Sequence, residues 1–213
     1  MENIEEFTGE LAGYLAALTL TLPDSAKGAI YSHFATLEKW KYETNLISKN
    51  ATFSEIVQNH YADSLAALGL IKDKAVIDVG SGAGFPGFPL AAFLSEKKFY
   101  LIEPRRLRVK FLEAAKAAAA LNNMEIQQKR LETAALPTGE YALIQRAVFP
   151  PDELWKKVEA SNLKAEAILT WSVLDTMTQN DNGAKKAGYR KTAECILPWN
   201  KRRVIARYAL KSN

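Results

Sequence analysis

Ala75-Val76-Ile77-Asp78-Val79-Gly80-Ser81-Gly82-Ala83-Gly84-Phe85-Pro86-Gly87 is the stretch that decides the fold. Residues 75–79 are a short, mostly apolar run without polar alternation, which reads as a strand buried on both faces in a parallel sheet. Glycines follow at once. Glycine reaches positive φ and places no Cβ between the backbone and a ligand. Pro86 then suits the first turn of a helix running to residue 94. A strand, a glycine loop and a helix start, in that order, let backbone amides come close to a bound molecule.

Outward from this loop the same grammar repeats. Residues 98–103 form a second strand-like run, 105–120 a strong helix, 125–127 and 141–145 two further strands, 152–160 a helix and 165–170 another strand. This alternation predicts an α/β fold, a doubly wound and mostly parallel sheet with right-handed crossovers. The last stretch differs. Residues 189–197 and 203–210 flank Pro198-Trp199-Asn200-Lys201, which predicts a closing hairpin that lays an antiparallel strand into the sheet. Before residue 72 the period is helical. Ile4, Phe7, Leu11, Tyr14, Leu15 and Leu18 recur up to a break at Pro23-Asp24-Ser25, where Asp24 or Ser25 is the expected cap of a second helix. A third helix is expected over 53–68. The chain thus divides into an N-terminal helical cap, residues 1–72, and an α/β core, residues 73–213.

A chain of 213 residues, 48% hydrophobic and 24% charged, suits one folded domain with an extension rather than a disordered polymer. The single Cys195 cannot close an internal disulfide, and with His33 and His60 it offers no zinc or iron cluster, so no metal is expected. The acidic N-terminus is unlike a secretory leader, and no apolar run approaches the ~20 residues that span a bilayer. A soluble, cytoplasmic protein without a membrane partner is the expectation. The net charge of +4 permits a polyanionic partner without demanding one.

Two ligand patterns overlap in the glycine loop. Gly82, Gly84 and Gly87 satisfy the dinucleotide pattern G-x-G-x-x-G, and Asp78, Gly80, Gly82 and Gly84 satisfy the acidic-x-G-x-G-x-G pattern of S-adenosylmethionine enzymes. Glu103, at the end of the next strand, supplies a carboxylate for ribose hydroxyls in either class. Asp78 favours the sulfonium cofactor, since a carboxylate there can serve a cationic amino-acid end directly or through water. Length favours it too, because 110 residues after Glu103 are cramped for a second nucleotide half and a substrate domain. A glycine turn that only packs helix on strand is the bland alternative.

The residues around the loop resemble a known family. Trp40 with Asn45-Leu46-Ile47-Ser48, His60-x-x-Asp63-Ser64-Leu65, the loop through its Phe85-Pro86-Gly87 ending, Arg108-Val109-x-Phe111-Leu112, Arg130-Leu131-Glu132 and Arg146-Ala147 together resemble the bacterial small-subunit ribosomal RNA guanine-N7 methyltransferases, also called glucose-inhibited division protein B. The resemblance runs from about residue 30 to the C-terminus. It implies a Rossmann-like sheet of the class I methyltransferase type, S-adenosyl-L-methionine as cofactor, and methyl transfer to N7 of a guanine in small-subunit rRNA, with that rRNA or the 30S particle as partner.

Residue by residue, the resemblance implies cofactor contacts from Gly80 and Phe85, a ribose contact from Glu103, and an adenine edge at Leu131 and Glu132; the loop pattern itself adds Asp78, Gly82 and Gly84 as cofactor-binding candidates. Arg146 would line the reacting end as the catalytic candidate. Asn45, His60, Asp63, Arg105 and Arg108 are the candidates for meeting RNA. Guanine N7 carries an in-plane lone pair and no proton, so transfer needs alignment and charge stabilisation but no general base.

The chain departs from the family pattern at Tyr141-Ala142, Gln145 and Thr170-Trp171-Ser172, which predicts an altered wall where the guanine should sit. Hence a second reading, a non-catalytic or altered-specificity RNA- or ribosome-binding paralogue that keeps the cofactor pocket. The literal G-x-G-x-x-G leaves a third, a dinucleotide-dependent oxidoreductase. Two basic runs are further candidates for RNA: residues 105–110, and Lys185, Lys186, Arg190, Lys191, Lys201, Arg202 and Arg203 flanked by Tyr189 and Trp199. His60 and Asp63, three apart, are expected on one helical face.

Overall fold

In a computed structural model that describes residues 3–160 and 165–211, seven strands form one sheet. They are β1 (Ala75–Val79), β2 (Lys98–Ile102), β3 (Met124–Gln127), β4 (Tyr141–Arg146), β5 (Ala167–Val173), β6 (Tyr189–Leu197) and β7 (Asn200–Leu210). Their order is β3-β2-β1-β4-β5-β7-β6. The first five are parallel, and β7 runs antiparallel to both β5 and β6. The expected hairpin is therefore present, with its second strand inserted into the sheet and its first left at the edge. The chain winds outward from β1 to β3, then returns to the other side of β1 through β4. That reversal opens a crevice at the carboxyl ends of β1 and β4, the usual ligand position in such sheets.

Alternate side chains of each central strand enter opposite layers, as strand geometry requires. Val76, Phe99, Leu101, Ala142, Ile144 and Leu169 join one apolar cluster, while Ile77, Val79, Leu143, Ile168 and Tyr208 join the other. The first layer is covered by α1 (Ile4–Ala16), α2 (Asp24–Trp40), α3 (Phe53–Ile56), α5 (Gly87–Phe93) and α6 (Arg106–Ala119), the second by α7 (Pro151–Ala160) and α8 (Met177–Lys186). The N-terminal helices and the sheet thus share one continuous core.

Local chemistry sets the helix ends. Asn3 caps α1 by accepting from Glu6 N at 2.9 Å, and Thr52 with Glu55 forms a capping box at α3. Helix α2 departs from expectation: its cap position is Pro23, with no side-chain cap bond, and Asp24 is the first helical residue, paired with Lys27 at 2.6 Å. The helix expected over 53–68 is also not uniform. After Ile56 it becomes a π-helix over Val57–Ala62, resumes as α4 (Asp63–Leu65) and ends before a 3-10 turn at Leu68–Leu70. Helix α8 has no counterpart in the sequence reading, because its segment is polar and buries only Met177, Asn180 and Ala184.

Candidate active site

The loop after β1 is built on three glycines with positive φ, Gly80 at 67°, Gly82 at 56° and Gly84 at 85°. Gly80 N and Ser81 N donate to Ile102 O at 2.8 and 3.2 Å, which ties the loop to the end of β2. Ser81 O then accepts from Gly84 N at 2.7 Å and Phe85 N at 3.1 Å, closing the turn into α5. Packing is tight around it. A Cβ on Gly80 would lie 2.7 Å from Val148, and one on Gly87 would lie 2.6 Å from the Asp78 carboxylate.

A cavity of about 400 Å³ opens above this loop at the crevice between β1 and β4. Gly80, Gly82, Phe85, Glu103, Arg105, Arg108, His60 and Arg146 all line it, together with Ser81, Ala147, Val148, Leu46 and Ile47. These eight sequence candidates therefore come together at one place. Asn45 sits at the edge, its carbonyl accepting from Arg108 at 3.0 Å. Arg105 and Arg106 are exposed there, beside Leu107 at 53% exposure.

Glu103 is nearly fully buried, and both carboxylate oxygens are fixed by backbone: Oε2 accepts from Gly82 N at 3.0 Å and Oε1 from Arg105 N at 2.9 Å. Each oxygen keeps a further lone pair, so a clamped, acceptor-only group faces the cavity beside the glycine loop. That donor-seeking carboxylate fits the two hydroxyls of a ribose.

Arg146 ends β4 and is held on three sides. Nη1 donates to Asn59 O and Nη2 to His60 Nδ1, both at 3.0 Å, and the guanidinium lies 5.3 Å from the Phe85 ring centroid. The π-helical turn supplies both acceptors. Burial pushes the arginine down to about 10 and pushes His60 down to about 3, with the Arg146 and Arg203 charges acting the same way on His60. His60 is thus a neutral imidazole whose Nδ1 accepts, which leaves the proton on Nε2.

Other candidates lie elsewhere. Asp78 does not reach the cavity. It is fully buried beneath the loop, where Oδ2 accepts from Gly87 N at 2.9 Å and Oδ1 has no hydrogen-bond partner. Burial raises its carboxyl to about 7, opposed by the Gly87 N–H and the Arg146 charge. In place of direct contact with a cationic ligand end, the carboxylate braces the start of α5. Gly84 also lies under the loop, where a Cβ would meet His33 and Phe88 at 3.0 Å. Leu131 and Glu132 are not among the cavity-lining residues: Leu131 is buried in the second core cluster and Glu132 pairs with Lys157 at 3.0 Å.

His60 and Asp63 differ in what they meet: His60 lines the cavity, and Asp63 is not among its lining residues. Asp63 instead turns into a cluster of its own, where Oδ1 accepts from Trp199 Nε1 at 2.8 Å, Oδ2 pairs with Arg203, and the backbone carbonyl accepts from Trp171 Nε1 at 3.0 Å.

Two expectations about the wall and the surface are corrected. Ala142 is fully buried near the amino end of β4, paired with Val76 and Ala167, and so lies away from the cavity end. Gln145 is buried and turned to the backbone, accepting from Val148 N at 3.1 Å and Phe149 N at 3.2 Å. Trp171 and Ser172, by contrast, both front a cavity. The second basic run does not form one patch, because Tyr189 pairs with Leu210 at one end of the hairpin and Leu197 with Asn200 at the other. Lys201, Arg202 and Arg203 stand at the cavity end, Lys185, Lys186, Arg190 and Lys191 at the far end. Tyr189 is buried, and Trp199 packs on Tyr14 at 5.4 Å.

The sequence reading missed His33. Fully buried on α2, it accepts or donates at two points: Nδ1 to Tyr61 Oη at 2.6 Å and Nε2 to Ala83 O at 2.9 Å. A carbonyl only accepts, so Nε2 carries the proton and Tyr61 donates to Nδ1. Burial pushes this imidazole down to about 3. Its sequence context, the apolar stripe of Ile30, Phe34 and Leu37, carries no sign that it supports the loop.

Among the described residues no group of His, Cys, Asp and Glu is arranged to hold a metal, and no helix is long and apolar enough to cross a membrane. The family model described as rRNA small subunit methyltransferase G (GidB) matches residues 27–182. A ribosomal RNA small subunit methyltransferase G of Desulfotalea psychrophila is 37% identical over 128 residues, 60% of this chain and 59% of that protein. One of the same name from Coxiella burnetii is 36% identical over 124 residues, 58% and 60% of the two chains. The chain thus spans about three-fifths of the length of these curated relatives. Among solved structures, magnesium protoporphyrin IX methyltransferase from Synechocystis PCC 6803 with bound SAM superposes with a TM-score of 0.60 at 16% identity, covering 90% of this chain and 99% of that one. Ribosomal protein L11 methylase from Lactobacillus delbrueckii subsp. bulgaricus gives 0.56 at 10% identity, covering 72% and 79%. At these identities the likeness is one of fold, the Rossmann-like sheet of methyltransferases.

Proposed function

The chain belongs to the rRNA small subunit methyltransferase G family, and from that premise we propose that it transfers a methyl group from S-adenosylmethionine to N7 of a guanine in small-subunit ribosomal RNA. The observation that carries the reading is the clamped Glu103 carboxylate facing one cavity together with the Gly80–Gly84 loop and Arg146. The cofactor supplies an electrophilic methyl group. Glu103 would hold its ribose, Gly80, Gly82 and Phe85 would form the floor, and Arg146 would border the reacting end. Asp78 and Gly84 enter as supports of that floor.

Guanine N7 needs no base to attack, so the work left to the protein is alignment and exclusion of water. Arg146 suits this because three contacts already fix it, with no reorganisation left for the reaction. Asn45, Arg105, Arg108 and the neutral His60 would meet the RNA at the rim; Asp63 would act through the residues it anchors. On this reading the protein works in the cytoplasm, on free rRNA or on a 30S particle, and residues 1–72 serve as a helical cap on a cofactor-binding core at 73–213.

Titration of the protein with S-adenosylmethionine, its demethylated product and NAD tests the cofactor. Binding of the first two without NAD is expected. Tight NAD binding with neither sulfur compound bound would replace this reading with the oxidoreductase.

A further inference from the structure

A second, smaller cavity of about 180 Å³ adjoins the first at the carboxyl ends of β4 and β5. Arg146 and Ala147 line both, so the two chambers share a wall. The rest of the smaller one is made by Trp171, Ser172, Val173 and Arg203 among others. None of these enters the cofactor chamber.

The chamber is preorganised by one buried carboxylate. Asp63, 1% exposed, holds Arg203 and Trp199 through its two oxygens and Trp171 through its backbone carbonyl. The Trp171 indole is therefore fixed by its N–H while its ring stays half-buried. Ser172 is fixed in turn, its Oγ accepting from Asn180 at 2.9 Å. Arg203 spends part of its guanidinium on Asp63 and retains N–H donors for a further acceptor. A rigid aromatic plane, an adjacent donor and an open rim at Val173, 42% exposed, describe a slot for one flat heteroaromatic ring with a carbonyl on its edge.

We propose that this chamber receives the acceptor nucleobase, turned out of the RNA and stacked on Trp171, with the Arg203 guanidinium directed at an exocyclic oxygen of the purine. The assignment rests on the methyltransferase reading above and deepens it by naming where the base sits. A guanine offers an oxygen where adenine offers an amino group, so the donor at Arg203 selects the first. Bases displaced from a stack are characteristically held on aromatic side chains in this way. The shared wall at Arg146-Ala147 puts the base next to the cofactor chamber, as transfer between the two requires.

The test compares wild type, Trp171→Ala, Trp171→Phe and Val173→Trp. For each, S-adenosylmethionine affinity is measured by calorimetry, and kcat and KM are measured for methyl transfer to small-subunit rRNA from a strain lacking this protein. Trp171→Ala is expected to lose about 5- to 150-fold in kcat/KM for rRNA, the fold-change of one lost base–aromatic stack. Its cofactor affinity should stay within about twofold of wild type, and Trp171→Phe should recover most of the loss. Val173→Trp, an exposed change at the rim, should block entry of the base with the same separation of effects even if Trp171→Ala folds poorly. An active wild type with both Trp171→Ala and Val173→Trp unaffected on rRNA would overturn the base site alone. A wild type that binds the cofactor but methylates no rRNA would overturn the function and this site with it.

Discussion

Replacing His33 separates support of the cofactor loop from contact with the cofactor. His33 lies outside the cavity, yet its Nε2–H is bound to the Ala83 carbonyl in the middle of the glycine loop, and its Nδ1 accepts a hydrogen bond from the Tyr61 hydroxyl. His33→Phe keeps the ring volume among Phe85, Phe88 and Phe111, so the cavity cost is small. What remains is two buried polar groups without partners, the Tyr61 hydroxyl and the Ala83 carbonyl, at about 1–3 kcal/mol each. A loss of about 2–6 kcal/mol follows, a large share of the about 5–15 kcal/mol that holds a typical domain. Adding Tyr61→Phe removes one orphan, so the double variant should regain about 1–3 kcal/mol over His33→Phe alone. Freeing one loop residue that the cofactor must then order again should weaken binding by about 5- to 30-fold. Urea unfolding gives the first quantities and calorimetric titration the last. A His33→Phe protein within about 1 kcal/mol of wild type, with unchanged cofactor affinity, would refute the network.

Three further outcomes are expected. Glu103→Gln keeps the shape but weakens the acceptor, and should raise the S-adenosylmethionine dissociation constant about tenfold or more; an unchanged constant in titration would remove Glu103 from the ribose. Gly82→Val should fold, since a Cβ there makes ordinary contacts with Arg108 at 3.5 Å and Gly80 O at 3.8 Å, but φ of 56° is closed to a β-branched residue, so measurable cofactor binding should vanish while the melting transition persists. Asp78 has a folded pKa of about 7 against an ordinary 3.8, so its contribution is present below pH 4 and lost as pH rises through about 7. The difference in melting temperature between wild type and Asp78→Asn should therefore move against wild type across that window. Parallel profiles would show that burial does not raise the carboxyl above its unfolded value.

The parts of the site that sequence exposes are those made by neighbours along the chain. The strand at 75–79, the glycines after it and the acidic end of the next strand are local patterns with fixed geometric consequences, and the fold followed from their alternation with helices. Side chains joined across long separations left no such trace. Trp199 and Arg203 meet Asp63 from 136 and 140 positions away, and His33 reaches Ala83 across 50. The π-helical turn is hidden because its residues share the apolar spacing of an ordinary helix. The basic residues of the hairpin looked like one patch because sequence distance does not show that a hairpin sends its two ends apart. Gln145 and Ala142 looked like changes in the wall, but one holds a turn and the other fills the core.

Methyl transfer to rRNA is the most direct measurement. The purified protein is incubated with methyl-labelled S-adenosylmethionine and small-subunit rRNA, free or as 30S particles, from a strain lacking it, and the digested nucleosides are separated against an N7-methylguanosine standard. One labelled peak at that standard is the predicted result. Cofactor bound with no label in any guanosine would contradict the account and leave a binding protein that keeps the pocket without the reaction.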